Sequence, residues 1–273
     1  MRYLLCCAAL GMAPANAALV ARFSFESDFS NSVTGGAVAT VNGASTPTAG
    51  QTAVGSNVPN TGNVLRIDGG AVTPVDGLTI GVTFGGGTNA SLTSLGDNFS
   101  ISAWYRVDSP FTAGSDARHY VWEGNDGAGS TDYDISYNAN PTTGNGQTFT
   151  KGPDTNTLIT GAGTAGTWFH VTQTYASIGS NIGITTYING QPAGSVLNSA
   201  NTNATDFNVI GLNIGMFRGE NRAFDGQIDE VMIYDNTLTA GQVDDLYLSQ
   251  VPEPSAAMLG GFGLLALLRR RHR

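Results

Sequence analysis

Apolar and polar positions alternate with a period of two over many short windows of this chain. The runs Phe99–Tyr105, Trp168–Tyr175, Ile182–Ile188 and Ile228–Tyr234 are rich in β-branched and aromatic side chains and are bounded by Gly, Asn, Asp and Ser. Such runs predict strands. The same pattern predicts strands over Leu19–Phe25, Asn63–Asp68, Leu78–Phe84, Arg118–Glu123, Tyr133–Tyr137, Gln147–Lys151 and Asn208–Gly215. Asn189-Gly190 is a type I′ hairpin signal, because both turn positions need positive φ. A helical period occurs over Ala240–Leu248, where Thr239 and Gln242 can form a capping box and Val243, Leu246 and Tyr247 make a narrow apolar face. About a dozen short strands and one helix predict an all-β, two-sheet antiparallel sandwich.

The two ends depart from this pattern. Met1-Arg2-Tyr3 supplies a positive charge, Leu4–Ala13 an apolar stretch, and Ala15-Asn16-Ala17 a small-x-small cleavage site. Residues 1–17 therefore read as a secretory signal peptide, with the mature chain starting at Ala18. Cys6 and Cys7 both fall inside it, so residues 18–250 contain no cysteine and must be held by their core. At the other end, Val251-Pro-Glu-Pro-Ser255 precedes the apolar run Ala256–Leu268 and the basic end Arg269-Arg-Arg-His-Arg273. As a helix, Ser255–Leu268 would span only about 21 Å. A bilayer core is about 30 Å thick, which suits a temporary anchor better than a permanent one, with the arginines held on the cytoplasmic side.

The order of that tail is similar to the PEP-CTERM sorting signal, whose motif falls on Pro252, Glu253 and Pro254. The resemblance implies residues 251–273 as the signal and an exosortase-type membrane protease as partner. It also implies transient inner-membrane insertion and, after C-terminal processing, a place at the cell surface or in the extracellular matrix.

Charge narrows the partners further. The whole chain is at −9, but the two tails hold five arginines and one acidic residue, so residues 18–250 carry seven basic and twenty acidic side chains, a net of −13. That balance repels phosphate backbones and argues against nucleic acid. With 233 residues, the segment 18–250 is long enough for one large β domain.

Five segments taken in order resemble the laminin G-like, concanavalin A-like lectin/glucanase jelly roll. They are Leu65-Arg-Ile-Asp-Gly69, Phe99–Trp104, Trp168-Phe-His-Val171 with Tyr175, Tyr187-Ile-Asn-Gly190 and Phe224–Tyr234, followed by the helix through Leu246-Tyr247. Segments 35–62 and 107–160 match nothing distinctive in that family. Hydrolases on this fold place catalytic carboxylates as Glu-x-Asp-x-(x)-Glu on one strand, and this chain has no such run. Its mature glutamates, Glu26, Glu123, Glu220 and Glu230, lack a second carboxylate at the same-face spacing, although carboxylates from separate strands remain an alternative. No Gly-x-Ser-x-Gly elbow is present. His170 matches the structural Trp-x-His of the family and reads as a packing residue.

Two candidate sites follow. Asp229 shares an alternation face with Val231 and Ile233, which places its carboxylate on the core side and in need of a cation or N–H donors. The resemblance implies a structural calcium there, with oxygens from near Glu26; a loop-capping aspartate is the alternative. For ligand binding, Trp104 and Arg106 fall on the outer sheet face if Phe99, Ile101, Ala103 and Tyr105 face the core. There Trp104 could stack on a sugar or lie under a loop. Trp122 with Glu123, Asp126, Tyr133 and Asp134 forms the second aromatic and acidic candidate. The expected function is an exported, non-catalytic module that binds glycan or another surface protein. A divergent laminarinase-like hydrolase and a ligand-free matrix protein are the alternatives.

Overall fold

A computed structural model describes residues 17–33, 39–42, 48–54, 58–59, 62–68, 77–80, 98–108, 118–125, 131–139, 146–151, 156–160, 164–179, 181–198, 211–215 and 224–251. Within them run the strands β1 (Leu19–Phe23), β2 (Ala39–Asn42), β3 (Thr48–Thr52), β4 (Asn63–Asp68), β5 (Gly77–Ile80), β6 (Phe99–Val107), β7 (Arg118–Asn125) and β8 (Thr131–Ala139). These are followed by β9 (Gly146–Lys151), β10 (Asn156–Thr160), β11 (Trp168–Ile178), β12 (Asn181–Ile188), β13 (Gln191–Asn198), β14 (Gly211–Ile214), β15 (Asp225–Tyr234) and the helix α1 (Ala240–Gln250). They form an antiparallel jelly-roll sandwich. One sheet has eight strands in the order β13-β12-β11-β6-β15-β4-β3 with β1 beside β15, and the other has seven in the order β10-β9-β8-β7-β14-β5-β2.

The core lies between the sheets. Phe99, Ile101, Ala103, Tyr105 and Val107 of β6 and Phe169, Val171 and Tyr175 of β11 meet Trp122, Leu212 and Ile214 of the opposite sheet. Each large apolar side chain removed from water contributes about 1.5–3 kcal/mol. One amide is buried among them. Gln173 accepts from the Trp122 indole N–H through Oε1 (3.1 Å) and from the Tyr175 hydroxyl, so these polar groups are satisfied without water.

All four strands that hydrophobic alternation did not predict, β2, β3, β10 and β13, stand at the ends of the two strand orders. Their sequences are Ala-Thr-Val-Asn, Thr-Ala-Gly-Gln-Thr, Asn-Thr-Leu-Ile-Thr and Gln-Pro-Ala-Gly-Ser-Val-Leu-Asn. Edge strands need little apolar contrast and are kept short and polar, with Pro tolerated, because their open N–H and C=O groups invite pairing with other chains. The hairpin turn falls where expected, with Asn189 at φ 51° and Gly190 at φ 78°.

The outer face of the eight-stranded sheet is covered too. α1 starts at the capping box of Thr239 and Gln242 and crosses this face, burying Val243 against Tyr187 and Leu238. At the other end of the face the segment after β3 is tied down. The Gln227 amide donates to the Thr52 carbonyl (3.1 Å) and accepts from the Val54 N–H (3.1 Å), while the Trp168 indole donates to the Val54 carbonyl (2.9 Å).

Candidate functional site

The covering elements decide what Trp104 does. It does point to the outer face, but it is 2 % exposed, packed with Val64, Trp168, Ala53, Val58, Tyr247 and Val251. Its indole N–H donates to Gln250 Oε1 (2.6 Å). Of the two readings of Trp104, the covered one holds, and the cover is the end of α1 together with the segment after β3. Arg106, one row along, is bound to Asp108, which also accepts from Arg66. Beneath α1 lie Ser102 and His170, whose Nε2 is 3.3 Å from Ser102 Oγ and whose ring contacts Trp104 and Tyr247.

The carboxylate cluster is also rearranged. β15 breaks register with β6 between Asp229 and Met232, and Glu230 takes a positive φ of 50°. This bulge inserts a residue, so Val231 and Ile233 face the core while Asp229 stands opposite Trp104 on the other face. The core-side position expected for Asp229 is thus overturned. Its Oδ1 accepts the Glu230 N–H (2.8 Å), and Glu230 takes Arg22 in a two-pronged pair (2.6 and 2.7 Å). The Arg22 pKa is raised first by its bond to Glu230, with Asp229 adding to the field. Glu26 instead accepts the Asn63 N–H (3.0 Å). Donors and a guanidinium already serve these carboxylates, which does not match a calcium seat built from Asp229 and Glu26. Among the described residues no group of three or more His, Cys, Asp or Glu converges as a metal would need.

The second candidate splits along its strands. Trp122 is a core residue, and Tyr133 stands at the position of Gly124, on the core-side face by register. Asp126 lies outside the described residues, as do Pro252, Glu253 and Pro254. Glu123 and Asp134 remain, directly opposite each other on β7 and β8.

They belong to a longer row that sequence reading missed. Thr40 pairs with Thr79, Thr79 with Asn213, Asn213 with Glu123, Glu123 with Asp134, Asp134 with Lys151 and Lys151 with Asn156. Directly opposed residues share a face, so one polar row runs across the whole seven-stranded sheet. Leu212 and Ile214 on either side of Asn213 are in the core, which fixes the row on the outward face. At its centre the Asn213 amide donates to Glu123 Oε2 (3.0 Å), and both residues are buried. The neighbouring row on the same face holds Tyr120, Ser136, Phe149 and Leu158. Carboxylates, amides and hydroxyls beside aromatic positions are the groups that fix a polyhydroxylated ligand. The signal in the sequence was there in part, as Glu123 and Asp134, but strands as distant as β5 and β14 had to be paired before the row existed.

Comparison with known proteins fits this picture. Residues 76–244 match the family described as the concanavalin A-like lectin/glucanases superfamily. Residues 250–273 match the PEP-CTERM protein-sorting motif, which indicates export to a surface or extracellular destination through exosortase, with transient membrane anchoring. No curated protein matches the chain. Among solved structures, domain 4 of AbnA, an extracellular arabinanase from Geobacillus stearothermophilus solved with arabinotriose, is 20% identical at a TM-score of 0.57, covering 85% of this chain and 100% of that one. Trypanosoma rangeli sialidase with the inhibitor DANA is 17% identical at 0.57, covering 87% of this chain and 34% of the sialidase. The receptor binding domain of the botulinum neurotoxin C/D mosaic serotype is 13% identical at 0.57, covering 85% and 51%. At these identities the likeness is one of fold.

Proposed function

Because this chain belongs to the concanavalin A-like lectin/glucanase superfamily, we propose that the outward polar row of its seven-stranded sheet binds carbohydrate without cleaving it, at the cell surface or in an extracellular polysaccharide matrix. The observation that carries this reading is the buried Asn213–Glu123 pair at the centre of the row. Both are buried, so the pair acts as a fixed base that holds the centre of the row in place, and a sugar would be met by the row positions on either side of it. The sorting motif supports the location, and the arabinotriose complex of a domain with this fold supports the ligand class.

One observation favours a second reading. Glu123 and Asp134 face each other across adjacent strands, and directly opposed residues have Cβ atoms about 4.5–5.5 Å apart. Retaining glycoside hydrolysis uses two carboxyl groups about 5–5.5 Å apart. The pairing thus brings two acidic positions side by side from two strands, as such a mechanism requires.

A glycan array with purified residues 18–250, beside Asn213→Ala and Glu123→Gln, separates the readings. Under the binding proposal the wild type retains a glycan, both variants lose at least about tenfold in affinity, equivalent to about 1.4 kcal/mol, and no reducing ends are released. Reducing-end release by the wild type that Glu123→Gln abolishes supports the hydrolase instead. Absence of any ligand on a broad array leaves the matrix-protein alternative standing.

A further inference from the structure

We infer that the end of the eight-stranded sheet from which the chain leaves the domain rests on the lipid surface of the membrane until the C-terminal apolar run is removed. This rests on the reading that residues 256–268 insert in that membrane.

The geometry starts from α1. Its entry is fixed where the Leu238 N–H donates to Ser100 Oγ (2.9 Å), and its exit where Gln250 accepts from Trp104 (2.6 Å). The helix therefore travels along β6 toward the end where β6 finishes and β11 begins. Gln250 is 6 % exposed, and Val251 is packed with Trp104 and Trp168. Ordered packing thus continues to the residue before Pro252. Only Pro252, Glu253, Pro254 and Ser255 separate Val251 from the apolar run at Ala256. Those five Cα steps reach at most about 18 Å. The interfacial layer of the bilayer takes up roughly 6 Å of that length, while a domain of this size has a radius of gyration of about 17 Å. With so little slack, the exit end must face the bilayer closely.

That end has a surface suited to lipid. Val54 is 47% exposed and its carbonyl holds the Trp168 indole; Leu248, 59% exposed, lies two residues before Gln250. Ile178 is equally exposed at 54% but ends β11, ten residues beyond Trp168 and so on the order of 33 Å away. Beside Val54, Arg66 and Arg106 flank Gln227 in one cross-strand row and both reach Asp108. Two of the seven basic residues of an acidic domain thus stand at the end that meets phosphate headgroups, beside Asp68, Asp108 and Asp225.

The test uses unprocessed chain 18–273 reconstituted in phosphatidylcholine and phosphatidylglycerol vesicles. Single cysteines are introduced in turn as Val54→Cys, Leu248→Cys, Ile178→Cys and Ala266→Cys, each labelled with an environment-sensitive fluorophore. On reconstitution the emission at positions 54 and 248 shifts to the blue and is quenched by brominated lipid, as at 266, whereas position 178 keeps its emission. If positions 54 and 248 behave like 178 while 266 shifts, the docking inference is wrong and the membrane reading stands. If 266 itself does not shift, both fall. A shift at 54 and 248 that appears only when protease-containing membranes are supplied places a protein on this face and overturns the lipid assignment.

Discussion

Burial holds the His170 imidazole neutral, its pKa pushed down to about 3 from the ordinary 6.5 because desolvation disfavours the cation. Ser102 faces its Nε2, while Nδ1 has no protein partner. The linkage sign follows from the depressed value. Stability is fully present above pH 6.5 and is lost as pH falls from there toward 3, where the unfolded chain binds a proton that the native state refuses. The slope of this contribution is at most about 1.4 kcal/mol per pH unit. Urea denaturation of wild type and His170→Leu across that window should show the wild type falling more steeply by this slope; parallel profiles would mean that His170 is not the source. A second residue-scale prediction concerns Gly226, at φ 155° where β15 passes β6. A Cβ there would lie 2.0 Å from the Arg106 carbonyl oxygen, inside any tolerable contact. Gly226→Ala should therefore destabilise by more than about 3 kcal/mol, read as a collapse of melting temperature or loss of soluble protein.

At the scale of elements, α1 covers a sheet face whose own side chains are not self-sufficient. Its start depends on the Thr239 side chain accepting from Gln242 N–H (3.3 Å) and on Gln242 accepting the Thr239 N–H (2.9 Å). Thr239→Ala is expected to cost about 1 kcal/mol in chemical denaturation. Its far end is fastened by the Trp104–Gln250 bond, so Trp104→Phe leaves the buried Gln250 Oε1 without that donor and should cost about 1–3 kcal/mol. Adding Gln250→Leu to Trp104→Phe should recover part of the loss, because both polar groups are then gone; no recovery in the double variant would place the loss in packing alone. The capping box and the hairpin turn were legible in the sequence because each is a local code of a few residues. The bulge at Asp229–Glu230 was not legible, since its extra residue is defined by the partner strand and reverses which face Asp229 takes.

On the scale of the whole molecule, the prediction is that adding and then removing calcium leaves the melting temperature of residues 18–250 unchanged. The Glu230 N–H already serves Asp229 and Arg22 already pairs with Glu230, so both carboxylates have donors without a cation. A rise in melting temperature with calcium that a chelator reverses would refute this. Taken by itself, the amino-acid order determined the all-β class, the strands of the sheet interiors, the capped helix and the sorting tail, because period-two alternation, capping residues and charge-flanked apolar runs are written in neighbouring positions. Tertiary structure alone decided the rest. The polar edge strands acquire their identity from the partners they pair with, Trp104 is covered because α1 arrives from more than a hundred residues away, and the Thr40–Asn156 row comes into being only when seven strands align. Local sequence carries the propensity of each segment to be a strand and the alternation of its two faces. Which face meets solvent, ligand or another element depends on long-range pairing, whose free energy comes from burial shared between segments far apart in the chain.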